Sequence, residues 1–153
     1  MRLNFSIFAQ HAIMVLMFLA LPHILHTEIK LAGTQQTLFY AVILVSAFFA
    51  MVPFIINAEK NRKMKSTMLV SIAVLCCSQL LLLISPAHTM AIGIVLFLFF
   101  TAFTLMESIL PSLVSKAAPL SIKGAAMGVY STSQFLGIAL GGTLGGLIQN
   151  SFT

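Results

Sequence analysis

Leu38-Phe39-Tyr40-Ala41-Val42-Ile43-Leu44-Val45-Ser46-Ala47-Phe48-Phe49-Ala50-Met51-Val52-Pro53-Phe54-Ile55-Ile56 is followed almost at once by Glu59-Lys60-Asn61-Arg62-Lys63-Met64-Lys65. The first stretch carries no charge, and the second is the densest charge cluster of the chain. A bilayer hydrocarbon core is about 30 Å thick and takes about 20 apolar residues to cross as a helix. The stretch is that long and is apolar on every side. A strand of a membrane barrel would be about ten residues with alternating polarity, so the stretch reads as a spanning helix that ends in a basic joint. A helix also satisfies its own backbone groups in lipid, as irregular chain cannot.

Four more runs have the same character, and together they give helices over about residues 5–25, 38–56, 67–84, 90–113 and 125–148. The fold class is therefore all-α, a polytopic membrane protein with about five transmembrane helices in a single domain over residues 1–153. Composition agrees. The chain is 59% hydrophobic and 7% charged, whereas a soluble domain carries about 25% charged residues. Arg2 before the first run could open a signal peptide. The run is longer than a usual signal core, and Ala20-Leu21-Pro22-His23 is not a small-x-small cleavage site, so a retained helix is expected. His23, Thr27, Glu28, Lys30, Gly33 and Gln35 form a polar joint, and Ser85-Pro86-Ala87-His88 a tight turn.

Basic residues set the orientation. Arg2, then Lys60, Arg62, Lys63 and Lys65, then Lys116 and Lys123 occupy alternate joints, and the opposite joints hold only Lys30. The excess of Lys and Arg on cytoplasmic loops predicts a cytoplasmic N-terminus and, after five crossings, an outside C-terminus. The net charge of +5 is accounted for by these joints, and nucleic acid is not an expected partner. The partner that the basic cluster does suggest is the lipid bilayer, through phospholipid contacts.

The residues that could carry chemistry are few. Glu107 lies inside the fourth run, where a carboxylate is costly unless paired, hydrated or protonated. Thr104 and Pro111 share its face. Two readings stand: a proton-coupling or gating carboxylate facing a cavity, or a carboxylate bonded to a neighbouring helix end near the cytoplasmic surface. His11, in the first run, either faces a cavity or bonds a neighbour. In the fifth run Tyr130, Ser131, Thr132, Ser133 and Gln134 either line a cavity or bond other helices. Gly137, Gly141 and Gly145 recur at four-residue spacing, as do Gly142 and Gly146. Such overlapping GxxxG patterns make a ridge without side chains that another helix can approach closely. Phe97, Phe99, Phe100 and Phe103 read as lipid-facing or packing residues, and Cys76 and Cys77 as small core residues rather than a disulfide.

No enzyme constellation is present, and no cofactor or metal is expected. There is no aspartate, no nucleophile elbow, no HExxH and no phosphate-binding Gly-Lys-Ser/Thr loop. His23, His26 and His88 sit at joints without metal-ligand spacing.

Several stretches resemble the major facilitator superfamily of transporters. Leu3-Asn4-Phe5 through Ala20-Leu21-Pro22 is similar to the start of its seventh helix. Val52-Pro53-Phe54-Ile55-Ile56-Asn57-Ala58-Glu59 with Lys60-Asn61-Arg62-Lys63 is similar to the joint after the eighth. Leu105-Met106-Glu107-Ser108-Ile109-Leu110-Pro111-Ser112-Leu113 resembles the end of the tenth. The stretch from Lys123-Gly124-Ala125 through Tyr130-Ser131-Thr132-Ser133-Gln134-Phe135-Leu136-Gly137 resembles the eleventh. The resemblance covers nearly the whole chain and is strongest to a bacterial inner-membrane efflux type.

It implies a fold of twelve helices in two six-helix halves, with the substrate path between them. This chain would be helices seven to eleven, a partial half-bundle. Residues 59–65 would echo the family's cytoplasmic signature loop, and that loop of the N-half would dock near Gly124 and Ala125, where the helix dipole favours a carboxylate. The resemblance further implies efflux of a drug or small molecule driven by a proton gradient. Glu107, Tyr130, Gln134 and His11 are then the candidates for the transport path or coupling. The first six helices, the signature loop, the antiporter motif, the twelfth helix and a small soluble C-terminal domain lie outside this sequence. The expectation is that the chain alone does not transport. Its expected partner is a separately encoded N-half or a second copy, met through the glycine ridge.

Overall fold

The computed structural model describes residues 2–27, 30, 32–84 and 88–151; the side chains of Arg2, His23, Thr27, Asn150 and Ser151 are not described. Glu28 of the first joint and the 85–87 turn therefore lie outside the described residues, as do the side chains of Arg2, His23 and Thr27.

Five long helices account for most of the described chain: α1 (Arg2–Thr27), α2 (Gly33–Lys60), α3 (Met64–Ile84), α4 (Thr89–Ala117) and α5 (Lys123–Ser151), with one 3-10 turn at Leu120–Ile122. No strand occurs among the described residues. Each helix outruns the apolar run that marks it. Apolarity marks only the hydrocarbon part of a span, and the helix continues into the headgroup zone. At 1.5 Å per residue, the 28 residues of α2 reach about 42 Å, close to the full bilayer thickness with its headgroups. Gly33 and Gln35, expected in a joint, are instead the first turn of α2. There the Gln35 side-chain oxygen accepts a hydrogen bond from the Ala32 amide (3.0 Å), supplying one of the partners that a helix start lacks.

α1 through α4 are long and apolar enough to cross a membrane. α5 has the length, 29 residues, but is diluted by glycine and by Ser131, Thr132, Ser133 and Gln134. All of the chain's glycines except Gly33 and Gly93 lie in it.

The chain divides into two compact units, Met1–Leu25 with Leu110–Thr153, and His26–Ile109. The first holds α1, α5 and the end of α4. The second holds α2, α3 and the rest of α4. In the second unit α2 buries Ile43, Ala47 and Ala58, and α3 buries Met64, Ser71, Leu75 and Ser78. Small residues on both stripes let the helices approach closely, as in other membrane bundles. Ser78 is 1% exposed, and its hydroxyl donates to the Leu75 carbonyl (2.8 Å), so its burial leaves no polar penalty. On α4, Phe99 and Phe100 are fully buried and meet edge to face at 5.3 Å. Phe97 and Phe103 are half-buried.

One expectation is corrected here. Cys76 and Cys77 are both exposed on α3, not core residues. The buried stripe of α3 runs through Leu75 and Ser78, and at 100° per residue the two cysteines fall outside it.

Candidate transport and coupling site

The first unit is organised by the glycines of α5. A methyl group at Gly137 would collide with the Phe8 carbonyl oxygen and lie 3.1 Å from Phe8 Cα. At Gly141 it would meet Ala12 O at 2.6 Å and Ala12 Cα at 2.9 Å, and at Gly145 it would collide with Leu19 Cδ1. Real Cβ atoms do not approach backbone so closely, so positions 137 and 141 accept only glycine without a shift of α1, whereas at 145 the flexible Leu19 side chain can turn aside. The contact positions rise together along both helices, so α1 and α5 run parallel. The second pattern behaves differently: Gly142 has only Val15 at 3.9 Å, and Gly146 has nothing within 4 Å. The 137/141/145 ridge is thus covered by α1 of the same chain.

This close approach brings two of the sequence candidates together. His11 is 4% exposed. Its Nδ1 lies 3.1 Å from the Ile7 carbonyl one turn earlier, and its Nε2 lies 2.8 Å from Gln134 Nε2. A carbonyl can only accept, so Nδ1 carries a proton and donates to Ile7. With that tautomer, Nε2 accepts from the Gln134 amide N–H. His11 is thus bonded to a neighbouring helix.

The polar stretch of α5 separates by face. The Thr132 hydroxyl donates to Gly128 O (3.0 Å) and the Ser133 hydroxyl to Val129 O (2.8 Å), both within α5. Gln134 reaches across to α1. Tyr130, one turn before Gln134, is 4% exposed. Gln10, beside His11, is 3% exposed and was not a sequence candidate; nothing in a lone glutamine of an apolar run distinguishes an inward from an outward position. Phe8 and Ala12, which receive the ridge, carried no signal either. The first unit also has a crevice of about 550 Å3 lined by Leu3, Val114, Ala118, Ile122 and Val129, with Asn4 as its polar side chain.

Glu107 lies in the second unit and is half-buried. Its surroundings on α4 are hydroxyls. Thr104 donates to Phe100 O (2.8 Å), and Ser108 donates to Thr104 O (3.1 Å) while lying 3.7 Å from Met51 Sδ of α2. Pro111 cannot supply the amide hydrogen that a helix aims at the carbonyl of residue 107, so α4 is locally weakened at its carboxylate.

Lys60, Arg62, Lys63 and Lys65 are all exposed at the α2–α3 turn. Among the described residues no group of three or more His, Cys, Asp or Glu is placed to hold a metal ion.

Among the described residues four helices are long and apolar enough to cross a membrane, and comparison with known proteins points to a transporter. The chain is 42% identical to the "Inner membrane transport protein YajR" of Escherichia coli (strain K12), over 99% of the chain and 33% of that protein. It is 32% identical to an "Uncharacterized transporter" of Buchnera aphidicola subsp. Baizongia pistaciae, over 96% of the chain and 38% of that protein. The "Uncharacterized transporter BU466" of Buchnera aphidicola subsp. Acyrthosiphon pisum matches at 26% identity over 92% of the chain and 36% of its own length. The chain therefore spans about a third of the length of the curated relatives it matches. The model of the Major Facilitator Superfamily matches residues 2–142, and on that match this multi-pass membrane chain belongs to the Major Facilitator Superfamily of transporters.

Proposed function

We propose that the chain forms part of the wall of a proton-coupled efflux path for drugs or other small molecules in a bacterial inner membrane, with its N-terminus cytoplasmic. The observation that carries this reading is the His11–Gln134 bond between α1 and α5. Neutral His11 accepts from the Gln134 amide. Once protonated at Nε2 it can only donate, and the amide must then present its oxygen or let go. A proton arriving at His11 thus changes the contact between two spanning helices. Glu107, a half-buried carboxylate on a helix weakened by Pro111, is a second candidate for proton traffic, and Tyr130 a candidate for the path wall.

Alternating access needs two bundles rocking about a site, so the proposed partner is a six-helix N-half. The rival reading, a non-transporting chain that docks a partner or second copy through the glycine ridge, has less support because α1 already lies on that ridge.

The test is growth of an efflux-deficient bacterium on a panel of toxic compounds, with this chain expressed alone and together with a matching N-half. Resistance only with the N-half, abolished by a protonophore and by His11→Phe, is the expected outcome. No resistance with both chains shown to be inserted would sink the proposal.

A further inference from the structure

The α2–α3 turn is closed by an arginine in a conformation that favours glycine. The Arg62 amide donates to Glu59 O (3.2 Å) and the Lys63 amide to Ala58 O (2.8 Å), the paired bonds of a Schellman helix ending. The residue at its bend must be left-handed, and Arg62 has φ 54. A Cβ crowds the next carbonyl there, which is why glycine is the usual occupant. The turn thus keeps a cation where glycine would relieve strain.

Arg62 does not stand alone. Lys60, Lys63 and Lys65 are exposed around it with a single acid, Glu59, and among the described residues no ion pair engages any of the four cations. Directly below them the helices show apolar surface. Ile56, one helical turn before Lys60, is 59% exposed; Leu69, one turn after Lys65, is 63% exposed; Phe54 and Val70 are similarly open. Residues four apart lie on one helix face. Each helix therefore offers a cation at its end and apolar surface beneath it on the same face. That is the complement of one amphiphile, with phosphate above and acyl chain below.

We propose that this turn is a binding site for an anionic phospholipid of the leaflet in which it lies. Arg62 would take the phosphodiester by its planar fork, Lys63 and Lys65 would add charge, and Ile56 and Leu69 would receive the chains. The site is independent of the transport reading, because it needs neither a substrate path nor a proton.

The test uses the full chain in detergent, titrated with phosphatidylglycerol or phosphatidylcholine and read by native mass spectrometry, alongside thermal unfolding. Phosphatidylglycerol should be retained preferentially. Arg62→Gln and Lys63→Gln should each cut that preference about fivefold, Arg62→Lys, which keeps the charge without the fork, should lose a smaller part of it, and Lys30→Gln, in another joint, should leave it intact. Arg62→Gly separates lipid from fold: preference should fall while the melting midpoint rises. Equal retention of the two lipids, or no change in Arg62→Gln with Lys63→Gln, overturns the proposal. Displacement of the lipid by inorganic phosphate would make this a soluble-phosphate site instead, and a lower midpoint in Arg62→Gly would make Arg62 a fold residue. Loss of retained lipid when an N-half is bound would assign the turn to a protein partner, also overturning it.

Discussion

A methyl group at position 141 would sit 2.6 Å from the Ala12 carbonyl oxygen, and only movement of α1 could make room. Gly141→Ala and Gly137→Ala should each destabilise the chain by about 1–3 kcal/mol, the usual range for overpacking. Gly146→Ala meets open space and should be neutral or stabilising by up to about 1 kcal/mol through helix propensity. Denaturant titration in micelles separates the two classes, and equal losses at 141 and 146 would show that the ridge contact is not what glycine serves there. The His11–Gln134 bond makes a second residue-scale prediction. Gln134→Leu strands a buried imidazole nitrogen and should cost about 1–3 kcal/mol, more than a net hydrogen bond is worth. Adding His11→Phe removes the stranded group, so the double variant should recover much of the loss, as a double-mutant cycle would reveal. A strictly additive result would mean that the pair does not interact.

Along the elements, small residues decide how near the helices come. Ser71 and Ser78 of α3 are 2% and 1% exposed. Ser78→Ala should change stability by less than about 1 kcal/mol, since it loses only a bond back to its own helix. Ser78→Leu should cost about 1–3 kcal/mol by overpacking, and a tolerated leucine would show that the α3 stripe is loosely packed. The helices themselves were legible in the sequence because continuous apolarity over 20 residues has few other uses. Their ends were less so: the Gly33 and Gln35 turn reads as a joint by polarity, yet Gln35 caps a helix. The GxxxG spacing announced a close contact without saying which of its two faces, 137/141/145 or 142/146, would be filled, since the pattern is the same for both. His11 and Gln134 were each visible as polar residues in apolar runs, but their pairing depends on the α1–α5 approach, which no local spacing encodes. Arg62 gave no warning of a left-handed turn, because the usual glycine is missing.

At the scale of the whole molecule, the proposed orientation rests on charge rather than packing. Parallel α1 and α5 are what alternation would require if the five helices cross in succession, and on that reading the basic joints propose which side is which. That reading would put seven of the chain's eight Lys and Arg in joints on one side, with Lys30 opposite, a bias large enough to orient a protein whose loops are this short. With Cys76 and Cys77, both exposed, replaced by alanine to remove background, single cysteines at Asn61 and Thr34 report the two sides. An impermeant maleimide applied to intact spheroplasts should label Thr34→Cys at once and Asn61→Cys only after permeabilisation. Neutralising Lys60, Arg62, Lys63 and Lys65 leaves three basic residues against one, and adding lysines at Thr34 and Gln35 makes it three against three, which removes the excess. The altered chain should then insert with mixed or inverted orientation, making position 61 reactive from outside. If it keeps its original orientation, hydrophobic order along the chain, not the basic turn, dictates topology, and the positive joints are left with lipid contact as their role.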